Sequence, residues 1–237
     1  AKTRGYVIRA ERSGMKKGGK YAKIQLPHPW TEEDLKRFED EALSHPRLGS
    51  EVRYWEDVEV GEELPSLLKG PLTMTDEVAF IMGVNAMGIP ANEVALSIYR
   101  KSPGMALIHP NCNAREFIEV VHFDPIAGSQ IGLPYAYWYG AQGHCWMMQC
   151  IQDWMGDDGW MKKNSALYRR FNYLSDVTRN TAKVTKKYID DEGEPCVDIE
   201  FSLKNQRGEE TLPGNATVAL PSREKNYWPL DRRLPPK

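Results

Sequence analysis

The sequence predicts an α+β fold in which an antiparallel sheet wraps around one long buried helix. Residues 140–156 carry apolar side chains on nearly every face, and a helix that is apolar all round lies in a protein interior. Gly156 provides a natural stop for this helix. Downstream, apolar and polar residues alternate as in half-buried strands, over residues 167–173, 197–203 and 216–220. Short turns at 190–194 and 205–209 indicate that neighbouring strands form antiparallel hairpins.

An arm and a short helix are expected ahead of the main domain, within residues 1–50. Residues 1–29 are rich in Gly, Lys and Arg and show no sustained hydrophobic period. This composition is typical of a solvated arm that packs on a neighbouring subunit, or of a segment that contacts ligand phosphates. In the helix that follows, Thr31 is the expected cap, and Asp34 stands where it can return a hydrogen bond to Thr31.

Residues 51–222 are expected to form the main domain, and residues 223–237 a tail. Within the domain, the stretch from Gly88 to Asn113 has no clear period and contains three prolines. A structureless loop of about that length is uncommon in a compact domain unless it shapes a binding site. We therefore interpret an insertion at about 88–120 as a cover over a ligand site, with a short helix near 92–99.

Composition and charge exclude several classes of function. The formal net charge is −2 with 27% charged residues, so no overall positive field exists to hold nucleic acid or an anionic membrane. Apolar stretches are broken by charges well before about 18 residues, and the amino end lacks the apolar core of a secretory signal. The cysteines lack metal-ligand spacing, and Cys145 and Cys150 lie in an apolar run, which indicates buried reduced thiols. The sequence therefore predicts a cytoplasmic protein without a metal site.

Several stretches, taken in chain order, resemble one known family. The stretches are Tyr54–Leu64, Gly70–Thr75, Val121–Gly156, Asn205–Gly208 and Pro213–Val218. No single piece is diagnostic, but their order makes the match specific, and the likeness covers roughly residues 51–222. On these stretches the chain resembles the MaoC-like acyl dehydratases and enoyl-CoA hydratases, a branch of the hot-dog fold. The resemblance implies a sheet that wraps around the long central helix.

The resemblance also implies a function. It implies that the chain adds water to, or removes water from, the 2,3-double bond of an acyl-CoA. CoA is then part of the substrate, and no further cofactor is expected. The partner implied is a second copy of the chain, in a homodimer or higher homo-oligomer whose sheets join and whose thioester lies in a tunnel at the interface. No nucleic-acid or membrane partner is expected.

The family's chemistry depends on a motif of the type Asp-x-Asn-Pro-x-His, whose Asp and His hold and activate water. His122 matches the His of this motif. Phe117 stands in the Asp position and Glu119 in the Asn position, so the family's carboxylate is missing from its usual place. Glu119 or Asp124 is a candidate to replace it, and His109 is a candidate second base and a candidate residue of the substrate pocket.

The family's second feature is a His-Gly step at the amino end of the central helix. In this chain Gln142 replaces the His and Gly143 matches the Gly. Backbone N–H groups at a helix amino end favour negative charge, so this end is expected to bind the thioester oxygen. His144, inside the buried helix, is expected to be a core histidine with a hydrogen-bond partner rather than a base.

Two further groups of residues are candidates for substrate contacts. Tyr135 and Tyr139 belong to an aromatic cluster that either lines a pocket for a bulky acyl group or packs at a dimer interface. The arginines of the second group either pair with CoA phosphates or are solvated, because Arg presents a fixed fork of donors. These are Arg169, Arg170 and Arg207.

Two other functions compete with the hydratase hypothesis. The missing Asp makes a non-catalytic partner subunit of a heteromeric hydratase plausible. A hot-dog thioesterase would share the fold and the ligand, but it needs a carboxylate early in the central helix. The first acidic residue after Gly143 is Asp153, near the far end, and this disfavours thioester hydrolysis.

Overall fold

A computed structural model describes residues 2–6, 24–85 and 89–231 of the chain. Most of the expected arm and the end of the expected tail lie outside these residues. The chain divides into two compact units. We call Met74–Tyr137 with Ala1–His28 the helical unit, and Pro29–Thr73 with Trp138–Lys237 the sheet unit.

The described elements follow one another along the chain as helices, short strands and a final run of long strands. In order they are α1 (Glu32–Leu43), β1 (Leu67–Lys69), α2 (Met74–Asn85), α3 (Glu93–Lys101), β2 (Ala106–Ile108), β3 (Arg115–Phe117), α4 (Pro125–Gln130), α5 (Gly140–Met155), β4 (Trp160–Ala166), β5 (Thr178–Ile189), β6 (Pro195–Asn205) and β7 (Glu210–Ala219). Short 3-10 helices span Trp55–Asp57, Pro103–Met105 and Ile118–His122.

The sheet unit contains a five-stranded antiparallel sheet in the order β1-β5-β6-β7-β4. The turns at 190–194 and 205–209 join β5 to β6 and β6 to β7, as the sequence predicted. Every second residue of β6 faces the interior and is buried, namely Val197, Ile199, Phe201 and Leu203. The alternation read from the sequence therefore places β6 and β7 correctly.

The strand predicted at 167–173 is wrong. The strand at this point of the chain is β4, which ends at Ala166, and the following residues are irregular. Leu167 and Tyr168 are more than half exposed, whereas Tyr173 is fully buried. The alternating apolar residues here therefore belong to an irregular segment, and only its end at Tyr173 reaches the core.

Helix α5 is the buried central helix that the sequence predicted. Met147, Cys150 and Ile151 are at most 1% exposed, and the helix packs against β1, β5, β6 and β7. Gly156 ends it with φ +74°, where a Cβ would lie 2.9 Å from the carbonyl oxygen of Glu51. Among the residues described, none of the helices combines the length and the apolar character that crossing a membrane requires.

The cysteines of α5 differ from one another. Cys150 is buried, and burial raises the pKa of its thiol to about 12. Cys145 is exposed, so the prediction that both thiols are buried is wrong for Cys145. The helix is apolar all round in sequence, but its first turns leave one side open, and Cys145 lies on that side.

The short helix α1 begins as predicted. The Thr31 side chain accepts the backbone N–H of Asp34 over 3.1 Å, and the Asp34 carboxylate accepts the backbone N–H of Thr31 over 3.3 Å. This reciprocal capping box satisfies donors that a helix start otherwise leaves unpaired. Phe38 then anchors the helix against Leu68 and Val177 in the sheet unit.

The insertion predicted at 88–120 lies in the helical unit and contains more regular structure than the single short helix that the sequence predicted. Asn92 caps α3, because its Oδ1 accepts the backbone N–H of Val94 over 2.9 Å. Strands β2 and β3 then form an antiparallel hairpin, and the chain continues through the 3-10 helix Ile118–His122 into α4. An apolar cluster of Val120, Val121 and Ala127, which we call the helical-unit core, holds these last elements together.

The carboxyl-terminal segment, expected as a tail from residue 223, makes ordered contacts over its described part. The Arg223 guanidinium pairs with both carboxylate oxygens of Asp57 at 2.8 and 2.7 Å. Tyr227 donates a hydrogen bond over 2.6 Å to Glu194, whose side chain is buried. Residues 223–231 therefore pack on the sheet unit.

Candidate active site

Glu119 and His122 form a close pair on a short 3-10 helix. Strand β3 runs directly into this helix, which spans Ile118–His122. Side chains three positions apart lie almost above one another in a 3-10 helix, and Glu119 and His122 have that spacing. His122 Nε2 lies 3.0 Å from Glu119 Oε2, and the two side chains are 9% and 22% exposed. The local helix type thus brings two predicted catalytic candidates together.

The other ring nitrogen of His122 bonds to the backbone. His122 Nδ1 donates to the carbonyl oxygen of Tyr137 over 2.8 Å. The Tyr137 ring packs against the imidazole, with ring centroids 4.4 Å apart and planes at 64°. Burial, and to a smaller degree the negative charge of Glu119, raise the pKa of Tyr137 to about 12, so the phenol stays protonated at neutral pH.

The remaining catalytic candidates of the helical unit have different surroundings. Asp124 Oδ1 accepts the backbone N–H of Ile126 over 2.8 Å and so caps α4. His109 lies at the start of the turn between β2 and β3, where its Nδ1 accepts the backbone N–H of Asn111 over 3.3 Å. The 3.0 Å contact makes Glu119 the candidate carboxylate in direct contact with His122.

The amino end of α5 is shaped by a tryptophan. Gln142 and Gly143 are buried at the third and fourth helical positions. A Cβ on Gly143 would overlap the Trp138 ring, so the indole packs where only glycine leaves room. Gln142 N–H donates to the Tyr139 carbonyl oxygen over 2.8 Å. The N–H groups with no acceptor inside the helix are therefore those of the two residues before Gln142. They precede the Gln142–Gly143 step at which the resemblance placed the binding of the thioester oxygen.

His144 is half-buried on α5 and has polar neighbours. Its Nδ1 lies 3.1 Å from the Tyr168 hydroxyl. Burial lowers the pKa of His144, and a hydrogen bond with Asn164 opposes this effect without reversing it. The imidazole is therefore neutral at neutral pH, which agrees with the prediction of a histidine that has a hydrogen-bond partner rather than a free base.

The predicted phosphate-binding arginines all contact carboxylates of the sheet unit. Arg207 donates to both oxygens of the buried Asp176 at 2.7 Å each. Arg170 contacts a carboxylate at 3.1 Å, and Arg169 contacts Glu210 at 3.5 Å while its side chain stays 56% exposed. Arg169 is therefore the arginine of this group whose guanidinium is most open to a ligand phosphate.

The aromatic segment before α5 contains the site residue that sequence reasoning missed. Tyr135 and Tyr139, the predicted pocket residues, are both half-buried. Tyr137, between them, is the residue whose carbonyl and ring contact His122. The sequence signal was the aromatic cluster itself, which pattern alone could interpret only as a pocket or an interface.

A cluster of carboxylates at the β5–β6 turn surrounds a lysine. Asp190, Glu192 and Glu194 approach one another closely enough to ligate a metal ion. Lys162 Nζ forms ion pairs with all three carboxylates. Burial would lower the pKa of Lys162, but its hydrogen bonds to these carboxylates outweigh burial and raise it. The ammonium supplies the cation of this cluster, which we interpret as structural.

Comparison with known proteins gives no match by sequence, since no family model and no curated protein matches the chain. Solved structures do match. The (R)-hydratase from A. caviae involved in PHA biosynthesis shares 18% identity at a TM-score of 0.50, over 70% of this chain and 99% of that one. R-hydratase PhaJ1 from Pseudomonas aeruginosa shares 15% identity at 0.51, over 72% and 86%. The MaoC-like dehydratase from Rhodospirillum rubrum shares 13% identity at 0.50, over 71% and 96%.

The chain has the hot-dog fold. In the hot-dog arrangement α5 is the central helix and the sheet β1-β5-β6-β7-β4 wraps around it. At 13–18% identity the likeness concerns the fold alone. The fold expected from the resemblance is therefore confirmed, and the chemistry depends on the site residues of this chain.

Proposed function

We propose that this chain hydrates or dehydrates an acyl-CoA at its 2,3-double bond, with Glu119 and His122 as the catalytic pair. The observation that carries the proposal is the 3.0 Å contact between His122 Nε2 and Glu119 Oε2. The hot-dog fold, shared with (R)-hydratases and a MaoC-like dehydratase, supports it. In the MaoC-like motif the carboxylate stands five residues before the His, where this chain has Phe117. Glu119, three residues before, provides a carboxylate from a different position.

The proposed chemistry needs one proton acceptor and one proton donor. The Glu119 carboxylate takes a proton from water while the water oxygen bonds to the β-carbon. The π electrons of the double bond move onto the thioester oxygen as an enolate. They return when protonated His122 gives its Nε2 proton to the α-carbon. The pair gains one proton and loses one, so H and OH have been added, and dehydration is the reverse sequence.

The enolate oxygen needs hydrogen-bond donors. We assign this role to the amino end of α5, at the two residues before Gln142, because their N–H groups have no acceptor inside the helix and the positive end of the helix dipole favours negative charge. Of the arginines, we assign the CoA phosphate to Arg169, the most open of them. Tyr135 and Tyr139 are the proposed acyl-pocket residues, and no cofactor beyond the CoA of the substrate is required.

We further propose that a second copy of the chain pairs along β4. This strand lies at the edge of the sheet, and no described strand pairs with its outer side. Edge strands present unpaired N–H and C=O groups, and Trp160 at the start of β4 is 41% exposed. The resemblance implies the same join between sheets. All four cysteines are free thiols, in keeping with the reducing cytoplasm that we propose as the compartment.

The test is a panel of short, branched and ring-bearing 2-enoyl-CoAs, with loss of the conjugated enone absorbance and release of free thiol recorded in parallel. We expect enone loss without thiol. Glu119→Gln and His122→Asn should each lower kcat by about 100-fold or more, since acid–base groups contribute about 10²–10⁴. Glu116→Gln, on the adjacent strand β3, is the matched control and should keep wild-type kcat.

Each other outcome would replace the proposal with a different function. Thiol release would indicate a thioesterase. The structure gives little support for that function, because Asp153, the first acidic residue of α5, already contacts His45 at 3.3 Å and Gln149 at 3.2 Å. Silence in both channels across the panel would indicate a non-catalytic subunit, and enone loss that survives both substitutions would remove the pair from the mechanism.

A further inference from the structure

Tyr137 contacts His122 through two separate groups. Its carbonyl oxygen accepts a hydrogen bond from His122 Nδ1 over 2.8 Å. Its ring meets the imidazole at an angle of 64°, with centroids 4.4 Å apart. One residue therefore contacts both the edge and the face of the same imidazole.

The carbonyl contact determines which nitrogen carries the ring proton. A carbonyl oxygen only accepts, so the 2.8 Å contact requires a proton on His122 Nδ1. Nε2 lies 3.0 Å from Glu119 Oε2. Two acceptors at that distance would repel, so a second proton lies between them, and Nε2 is the nitrogen that exchanges a proton. In the opposite tautomer, Nδ1 would face the carbonyl with a lone pair, and the two acceptors would repel one another.

The position of Tyr137 is fixed by its own surroundings. The residue packs against the helical-unit core, which includes the two valines directly before His122. The preceding turn also lies very close to α4, because a Cβ on Gly128 would stand 2.7 Å from the carbonyl oxygen of Tyr135. The backbone before His122 and the backbone before Tyr137 are therefore both fixed by packing within the helical unit.

We propose that Tyr137 is a positioning residue for His122: its carbonyl oxygen selects the Nδ1–H form and its ring holds the imidazole plane, so that Nε2 faces Glu119. The catalytic consequence of this inference rests on the proposed hydratase function. Its structural content, the tautomer and the orientation of the ring, stands without that function.

The experiment measures the tautomer directly. The ring 15N shifts of the full chain, labelled at histidine, distinguish a protonated Nδ1 from a protonated Nε2, and His122→Gln assigns the His122 signals among the five histidines. We expect Nδ1 of His122 to be fully protonated in the wild type. Tyr137→Phe, which keeps the ring and the carbonyl, should leave these shifts unchanged. Tyr137→Ala keeps the carbonyl and loses the ring, so Nδ1 should stay protonated while kcat falls by roughly 10-fold at nearly constant KM, because the plane of the imidazole is no longer held.

The outcomes separate this inference from the proposed function. Wild-type His122 protonated at Nε2 alone would overturn the role of the carbonyl without any variant, and a Tyr137→Ala protein with wild-type kcat would overturn the role of the ring. Tyr137→Leu replaces the alanine variant if that one does not fold, because leucine retains volume without a flat ring. A wild type that turns over no 2-enoyl-CoA but shows the expected shifts would contradict the function and leave the positioning role supported.

Discussion

The contacts that stabilise the sheet unit internally differ in kind from those that stabilise the helical unit. In the sheet unit, buried apolar residues recur at every second position of β6 and along one face of α5. In the helical unit, the candidate site depends on a few individual contacts, such as those that His122 makes with Glu119 and with the Tyr137 carbonyl. Periodic burial leaves a signal in sequence, whereas a single polar contact leaves none. The sequence therefore predicts this fold more readily than it predicts the candidate active site.

The largest expected effect on stability lies in the sheet unit, at Gly214. A Cβ there would overlap the carbonyl oxygen of Ser165 and the ring of Phe201, and the backbone oxygen of a paired strand has no room to move. Gly214→Ala should lower the free energy of unfolding by about 3 kcal/mol in urea titrations and leave kcat of the folded protein unchanged.

A glycine of the helical unit provides the control for Gly214. Gly83 lies within α2, and a Cβ there would meet nothing within 4 Å. Gly83→Ala should raise the free energy of unfolding by about 0.5–1 kcal/mol, because alanine favours the helix. Equal effects of the two substitutions would show that the close approach at Gly214 does not limit packing.

The next effect is the acid sensitivity of the sheet unit. Burial would raise the pKa of Asp190, but hydrogen bonds from Lys162 and from the backbone N–H groups of Glu194 and Glu192 outweigh it and lower the pKa to about 2. A lowered carboxylate pKa stabilises the fold above the unfolded value, and this stability is lost as pH falls from about 4 to about 2.

Removing the Asp190 carboxylate isolates this contribution. The wild type should lose about 2 kcal/mol more than Asp190→Asn between pH 5 and pH 2, measured by urea unfolding at each pH. Parallel acid curves for the two proteins would contradict the assignment of this stability to Asp190. In that case the carboxylate cluster around Lys162 would not contribute to the stability of the sheet unit.

A substitution at Gly128, in the helical unit, should affect stability less than Gly214→Ala does but should affect activity. A Cβ there would stand 2.7 Å from the Tyr135 carbonyl oxygen, so the segment leading to Tyr137 must shift. Gly128→Ala should cost about 1 kcal/mol of stability and lower kcat on the best 2-enoyl-CoA by roughly 10-fold. Unchanged kcat together with lowered stability would show that the site tolerates movement of this segment.

Particular strands show where the sequence was sufficient and where it was not. The apolar inner positions of β6 are all aliphatic or aromatic from Val197 to Leu203, so the period of two was plain. The hairpin turn at 190–194 implied a strand before it, but the pattern of β5 was not recognised, because its buried positions begin with Thr178 and Asn180 before Ala182 and Val184. Polar residues on the inner face hide the alternation, and Asn180 among them donates a hydrogen bond to the Leu67 carbonyl over 2.9 Å.

The candidate site was predicted in part. The resemblance identified His122 and offered Glu119 and Asp124 as alternatives. Sequence could not choose between them, because the choice depends on a 3-10 helix that aligns Glu119 with His122 and on α4, whose cap uses Asp124. The contact of Tyr137 with His122 could not be predicted from the sequence, for a different reason. Its role involves a backbone carbonyl, which every residue has and no motif records.

The central claim is that Glu119, and not Asp124, is the carboxylate that works with His122. It is tested most directly by the kcat/KM of Glu119→Gln and Asp124→Asn on the best 2-enoyl-CoA of the panel. Asn is as good a helix cap as Asp, so the second variant removes the charge and keeps α4. We predict a loss of about 100-fold or more for Glu119→Gln and less than about threefold for Asp124→Asn. The reverse order would contradict the account.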